Sequence, residues 1–386
     1  MTKTAHDAYP NPDLMVGPDN LSSWSRADTR RWGFHNLHTL SRASFSLRAP
    51  AVLPLKKSAD MRILDLPRVQ KLTTTPFLSA MAVVCGGDVI YERYAPDFGP
   101  DRVHSMQSIT KTTVHLMIAN LAGQGLLDMN QRVDHYLPEM GSGYAGATVQ
   151  QVANMDVINN YSEDYGDVHA DVFAQEVAMG WRLPYGDSAE ESLRGFVVGV
   201  ESDDTTNHTG AADYKSANTD VLGWIAERIT GRTLRTMLLD IIEAAGIEGT
   251  FHISCDREGV PVVSGGGLLT ARDLARYGLL LARHGHGVEG RQVGDAAFTA
   301  QSIAHPGPAM PEPRSWMSYS NQLMTNGRWI GHGGYGGQFL FADPPTDMAM
   351  AFYSVLENRE AIDTDYYTDV VQTGVEIAAL LESGAP

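Results

Sequence analysis

Ser108 and Lys111 stand three residues apart at the front of an apolar run, "HSMQSITKTTVHLMIANLAGQGLLD" (104–128), and this pair of residue types could do nucleophilic chemistry. A serine hydroxyl is a poor nucleophile until a nearby base takes its proton, and a helix sets residues i and i+3 on one face with Cβ atoms about 5–6 Å apart. At a helix start the backbone N–H groups and the positive dipole end also favour a developing negative charge. The same two residues would serve as a capping serine and a solvated lysine, so the pair alone leaves both readings open.

Two further stretches carry reactive residue types. "ADYKSANTD" (212–220) places Tyr214, Ser216 and Asn218 just before a helix. Tyr214 would accept a proton if neighbouring cations lowered its pKa from about 10, and Asn218 is a candidate cap of the helix that follows. "IGHGGYGGQ" (330–338) is a glycine-dense strand edge, where the lack of side chains lets a substrate lie against the backbone or lets a strand turn a bulged corner.

The elements that must position these residues follow from periodicity. "FLSAMAVVCGGDVIYERY" (77–94) reads as two β-rich runs around Gly86-Gly87-Asp88, a hairpin signal. From Ser108 the apolar residues Val114, Met117, Ile118 and Leu121 recur at helical spacing up to Gly123 and Gly125, which predicts a buried helix. Residues 126–250 read as mostly helical or irregular; within them "NTDVLGWIAERITG" (218–231) is an amphipathic helix with a glycine stop. "TARDLARYGLLLARHG" predicts another such helix, "RWIGHGGYGGQFLFADPPTDMAMAFYSV" (328–355) two strands around Pro344-Pro345, and the stretch near 367–382 a closing helix. Residues 1 to about 60 are polar and contain proline, with Trp24, Trp32 and Phe34 as anchors, and read as an arm packed on a domain with few obvious elements.

Composition narrows the partners. With 386 residues, 43% of them hydrophobic, the chain can bury a large core. A formal net charge of −17 without a Lys/Arg cluster argues against nucleic acid and anionic lipid. Cys85 and Cys255, far apart in sequence, suggest neither a disulfide framework nor a metal site, which fits a reducing compartment. No apolar signal core or long apolar span is present, so a cytoplasmic location is expected, with no membrane association. A Gly-x-Ser-x-Gly elbow and a His-Glu-x-x-His motif are both missing. His284 and His286 read as a solvated loop rather than a metal pair, and His115 as a hydrogen-bonded core residue.

Taken together, in this order and at these separations, the three stretches resemble the serine β-lactamase and penicillin-binding-protein family, most of all its class C and esterase-like branch. Ser108-x-x-Lys111, Tyr214 and His332-Gly333-Gly334 carry the likeness, and "GQGLLDMNQRVDHYLPEM", "SGGGLLTARDLARYG" and "FADPPTDMAMAFYS" extend it over about 300 residues. "YKSANTDVLGWIAERITG", "NYSEDYGD" (160–167) and "RRWGFHNL" (30–37) look like the 6-aminohexanoate-dimer hydrolase group, which cuts linear amides. In that group the catalytic tyrosine starts a Tyr-x-Ser-Ala-Asn run, which selects Tyr214, although a Tyr-x-Asn template would put Ser216 in register. Gly336 departs from the group's pattern, standing where its Gly-x-His-Gly-Gln strand has histidine.

The resemblance implies an α+β fold, an α/β sandwich with an antiparallel five-stranded sheet flanked by helices and an inserted helical subdomain. The expected division is an arm (1–60), a sheet subdomain (60–106 and 265–386) and a helical subdomain (107–264), with the active site at their junction. It also implies a serine hydrolase that forms an acyl-enzyme on Ser108, with Lys111 and Tyr214 moving protons and the N–H groups of Ser108 and Tyr335 as oxyanion hole. Tyr165, Ser216, Asn218, His332, Gly333 and Gly334 are the expected substrate contacts. No metal or organic cofactor is implied. The expected partner is a small amide or, as the alternative, an ester; β-lactam hydrolysis ranks third, and a ligand-binding sensor without turnover is the reading of another class. The oligomeric state is left open, a homodimer included.

Overall fold

Gly86 and Gly87 take positive φ, 60° and 109°, and join strands Leu78–Cys85 and Asp88–Tyr94 as the Gly-Gly-Asp run predicts. In the computed structural model, which describes residues 21–41, 43–184 and 191–384, this hairpin lies inside a larger sheet. The first twenty residues of the expected arm fall outside the described part. The strands are β1 (Ala43–Leu47), β2 (Lys56–Lys57), β3 (Leu78–Cys85), β4 (Asp88–Tyr94), β5 (His104–Ser105), β6 (Phe251–Cys255), β7 (Gly267–Leu269), β8 (Ser318–Ser320), β9 (Leu323–Thr325), β10 (Ile330–Gly334), β11 (Gln338–Asp343) and β12 (Met348–Ser354). The helices that bear on the site are α1 (Arg30–Leu40), α2 (Thr112–Gly123), α3 (Ser216–Thr230), α4 (Ala271–Ala282) and α5 (Thr364–Ser383).

The main sheet has eight strands in the order β2-β4-β3-β12-β11-β10-β9-β8, where five were expected. The five central strands, β4 to β10 in that order, are the long ones, and the additions are a two-residue edge at β2 and three-residue strands β9 and β8. Every pairing is antiparallel except β2 with β4. The stretch 328–355 holds three strands rather than the expected two. Gly336 and Gly337, at φ 90° and 99°, turn β10 back into β11, and a short 3-10 turn at Pro344–Thr346 joins β11 to β12.

Alternation along the strands divides the core. Ala80, Ala82, Val84, Ala349 and Ala351 join the cluster that contains Leu274, Tyr277 and Leu281 of α4. Met81, Val83, Met348, Met350 and Phe352 join Val370, Val371 and Ile377 of α5. The small side chains let α4 lie close: a Cβ on Gly278 would stand 2.6 Å from Ala349 Cβ and 2.8 Å from Leu340 Cδ1. Each buried leucine of α4 contributes about 1.5–3 kcal/mol by leaving water.

A second, four-stranded sheet runs β1-β6-β7-β5. It ties the arm to the strand that precedes Ser108, because β1 pairs with β6, β6 with β7 and β7 with β5. The arm is more ordered than its sequence suggests: Trp24 and Phe34 are buried with Met179, Trp181 and Val355 around α1, and Trp24 Nε1 donates to the Trp181 carbonyl at 2.8 Å. Among the described residues no helix is long and apolar enough to cross a membrane.

Candidate active site

Ser108 lies in a 3-10 turn, Gln107–Lys111, that leads into α2. With three residues per turn the side chains at i and i+3 eclipse, and Lys111 Nζ donates to Ser108 Oγ at 2.9 Å. Met106 and Ile109 are fully buried on either side and fix the turn in the core. Gln107 sits at φ 48°, a left-handed conformation that costs a non-glycine residue on the order of 1–3 kcal/mol. Its hydrogen bonds hold it there: Nε2 donates to Ser105 Oγ at 2.7 Å, and its carbonyl accepts from Thr110 Oγ1 at 2.8 Å.

Three acceptors surround the Lys111 nitrogen: Ser108 Oγ at 2.9 Å, Ser216 Oγ at 2.9 Å and the Ser264 carbonyl at 2.6 Å. Ser216 in turn donates its hydroxyl proton to Glu163 Oε1 at 2.9 Å, so toward Lys111 its oxygen accepts. Burial lowers the Lys111 pKa from 10.5 to about 8, with the carboxylates of Glu163 and Asp220 pulling the other way. A neutral amine has two N–H bonds and one lone pair. Ser264 and Ser216 take the two N–H bonds, and the lone pair is left for the Ser108 hydroxyl.

Tyr214 faces this cluster: Lys111 Nζ stands 5.2 Å from its ring centroid, and its phenol shares the cavity wall with Ser108. The expectation of a lowered phenol pKa is not met. Burial first and the Glu163 carboxylate second raise it well above the ordinary value, and the Ser108 contact opposes them only in part. Tyr214 is therefore a neutral phenol at rest, and the proton acceptor within reach of Ser108 is the lysine.

Ser108, Tyr165, Tyr214, Gly333, Gly334 and Tyr335 line one cavity of about 240 Å³, together with Glu163, Arg314 and Tyr367. The glycines of β10 are steric requirements. A Cβ on Gly334 would stand 2.6 Å from the Met106 carbonyl oxygen, and one on Gly333 2.4 Å from the Tyr367 ring. The close approach at Gly334 sets the backbone of Tyr335 beside the Ser108 turn. Tyr165 stacks on Tyr335 with centroids 4.4 Å apart at 27°, and its hydroxyl donates to Glu163 Oε1 at 3.2 Å.

Three of the expected substrate contacts lie outside the cavity wall. Asn218 does not cap α3, whose N-cap is Lys215; it is fully buried, accepting from the Tyr144 hydroxyl at 3.0 Å and donating to the Val152 carbonyl at 3.1 Å. Ser216 is likewise buried and holds Lys111. His332 is fully buried behind the cavity wall, its ring 6.0 Å from that of Tyr214. Burial and the Lys111 charge lower its pKa to about 3, so it is neutral. Its Nδ1–H donates to the Gly333 carbonyl at 2.6 Å, and Nε2 accepts from the Tyr319 hydroxyl at 3.1 Å.

Sequence reasoning passed over Glu163 and Ser264, which begin or sit within segments already singled out. Glu163 takes the role assigned to Asn218: its carboxylate accepts from Ser216 N at 2.5 Å at the start of α3, where a negative charge suits the dipole. Ser264 opens the Ser-Gly-Gly-Gly run. A Cβ on Gly267 would stand 2.9 Å from Thr110 Oγ1, so the run passes directly under the Ser108 turn. His115 is hydrogen-bonded in the core, to the Asn321 carbonyl at 2.8 Å and Thr299 Oγ1 at 3.0 Å.

Comparison with known proteins adds to this geometry. The model of the family described as Beta-lactamase matches residues 78–372. A 6-aminohexanoate-dimer hydrolase from Paenarthrobacter ureafaciens is 32% identical over 354 residues, 87% of this chain and 88% of that one. A solved structure from Bacillus anthracis, provisionally assigned as a 6-aminohexanoate-dimer hydrolase, superposes with a TM-score of 0.81 at 22% identity over 96% of this chain and 99% of its own. A family VIII carboxylesterase gives a TM-score of 0.58 at 15% identity over 86% and 99%.

Proposed function

Because the chain belongs to the Beta-lactamase family and is a hydrolase of that fold, we propose that it cleaves a small linear amide through an acyl-enzyme on Ser108. The observation that carries the reading is the Ser108 hydroxyl 2.9 Å from a buried lysine nitrogen whose other two hydrogen bonds are spoken for. The substrate class follows the 32% identical relative, which covers most of both chains.

Ser108 Oγ attacks the carbonyl carbon as Lys111 takes its proton. The oxyanion receives the backbone N–H groups of Ser108 and Tyr335. Tyr214, which lines the cavity with Ser108 and faces Lys111, gives its proton to the leaving nitrogen and takes one from Lys111 in exchange, the C–N bond breaks and the amine departs. Water then attacks the acyl-enzyme with the same groups acting in reverse, which releases the acid and restores Ser108.

Tyr165 bears on amide against ester. Its proton is directed to Glu163, which leaves the phenol oxygen to accept from the N–H of a scissile amide, and an ester has no such donor. The alternative, a carboxylesterase of the same fold, is favoured by Gly336, which removes a histidine from the leaving-group side of the pocket. Steady rates on linear amides, p-nitrophenyl esters and a chromogenic cephalosporin test the choice. Tyr165→Phe is expected to slow amide turnover by about the 0.5–1.5 kcal/mol of one neutral hydrogen bond and leave ester turnover nearly constant. Equal losses on both would remove the preference for amides. Ser108→Ala should abolish turnover of every substrate and labelling by a serine-reactive phosphonate; a burst of leaving group without a steady rate in the unmutated protein would identify a sensor instead.

A further inference from the structure

Behind the cavity, Lys111 belongs to a closed ring of hydrogen bonds that contains two carboxylates. One arc runs from Lys111 through Ser216 to Glu163. The other runs from Lys111 to the Ser264 carbonyl at 2.6 Å, and from Ser264 Oγ to Asp220 Oδ2 at 3.1 Å. Asp220 Oδ2 also accepts from Gln175 Nε2 at 2.6 Å, and Gln175 Oε1 accepts from the Tyr161 hydroxyl at 2.5 Å. The Tyr161 hydroxyl has Glu163 Oε2 as a second acceptor at 3.3 Å, which closes the ring.

Glu163 borders the cavity, whereas Asp220 does not and is 8% exposed. Asp220 Oδ1 is buried with no hydrogen-bond partner among the described residues. A buried carboxylate with one oxygen unsatisfied is costly unless a nearby positive charge compensates it. Around Asp220 the charged groups are Lys111, Glu163 across the ring and Asp256, with Arg194 and Glu227 lining the same small cavity of about 10 Å³. Arg194 and Glu227 pair with each other, and Asp256 repels. Arg194 Nε is buried without a partner among the described residues beside the same cavity, but Lys111 is the cation whose charge acts on the Asp220 carboxyl.

We propose that Asp220 is a positioning residue that acts through Lys111: its carboxylate, joined to the lysine by Ser264, governs how readily the lysine releases its proton and so when Ser108 becomes reactive. Burial raises the Asp220 pKa from 3.8 to about 7, with the Ser264 hydrogen bond and the Lys111 charge opposing. Lys111 itself stands at about 8. The two groups therefore titrate in adjoining ranges, and each proton bound or lost at Asp220 changes the field at the lysine. This inference rests on the reading of Lys111 as the base for Ser108.

The test is the pH dependence of Ser108 labelling by a fluorophosphonate, which needs no knowledge of the substrate, in the unmutated protein and in Asp220→Asn. The amide keeps an acceptor for Ser264 and Gln175 while removing the charge. An opposite charge nearby typically moves a pKa by 1–3 units, and because Asp220 is itself part-protonated near pH 7 the labelling midpoint should fall by a part of that, about half a unit to one unit. The variant should label faster relative to its own plateau around the midpoints, and the gain should fade below about pH 7, where Asp220 of the unmutated protein takes up its own proton. An unmoved midpoint in a folded variant, or a lower plateau with the midpoint unmoved, would overturn the proposal. Should Asp220→Asn fail to fold, Ser264→Ala keeps the carbonyl that Lys111 holds, and it should shift the midpoint the same way by less; no shift there is equally fatal. If Ser108 of the unmutated protein is not labelled at any pH, the fault lies with the proposed function rather than with Asp220.

Discussion

Lys111 has one nitrogen and three fixed partners, and this arithmetic shapes the chemistry. As an ammonium it donates to all three. As an amine it must accept from one of them, and the chain of donors from Ser216 to Glu163 leaves Ser108 as that one. The rate should accordingly rise with pH as the lysine, held at about 8, loses its proton. A profile of kcat/KM with an acid limb near that value is the expected result, and a flat profile across it would exclude the lysine as base. Tyr214, a neutral phenol, should act in series with it. Lys111→Ala and Tyr214→Phe should each lose about 10²–10⁴-fold in rate, and the double variant should be little worse than either single one. Multiplicative losses would separate their proton paths. The Ser-x-x-Lys spacing was legible because the pair is made within one turn. Glu163, Ser264 and Asp220 were not, since their parts depend on segments that meet only after the chain has folded.

At the scale of elements, the site depends on how closely β10 approaches the Ser108 turn. Gly334→Ala would bring a methyl to 2.6 Å from the Met106 carbonyl oxygen, which pushes the strand and the Tyr335 N–H away from Ser108. Loss of one oxyanion donor typically costs about 10²–10³ in kcat, so a fall of that order with a nearly constant KM is expected from steady-state kinetics on the best substrate. The hairpin at Gly86, the glycine stop of α3 and the long helices were readable from local signals. The split of 328–355 into three strands was not, because Gly336 and Gly337 read equally as an open strand edge and as a turn until β11 is seen paired back on β10. The arm's α1 was hidden for a similar reason. Its burial comes from Trp181 and Val355, far away in sequence, rather than from a strong apolar stripe of its own.

For the whole molecule, acid stability should reflect a pair of buried imidazoles where the arm meets β5. His35 and His104 lie 5.1 Å apart, ring centre to ring centre. Burial lowers His35 from 6.5 to about 2 and His104 to about 3, with each other's charge and nearby arginines adding to the effect at His35. The folded state thus binds fewer protons than the unfolded chain below about pH 6.5. The contribution of the pair is present above that value and is lost as the pH falls toward about 3. Each imidazole adds about 1.4 kcal/mol per pH unit to the slope. Chemical denaturation between pH 6 and 5 should show this slope, and His104→Gln should make it shallower by about that amount; an unchanged slope would mean the imidazoles do not set it. The order of the main sheet has a further consequence, for synthesis on the ribosome. β12 lies between β3 and β11, so β3, buried along seven of its eight residues, emerges early and lacks one neighbour until nearly the whole chain has been made. At about 5–20 residues per second that wait lasts on the order of tens of seconds. During it an apolar strand edge is open to other nascent chains, and the yield of folded protein should depend on how well chaperones cover that edge.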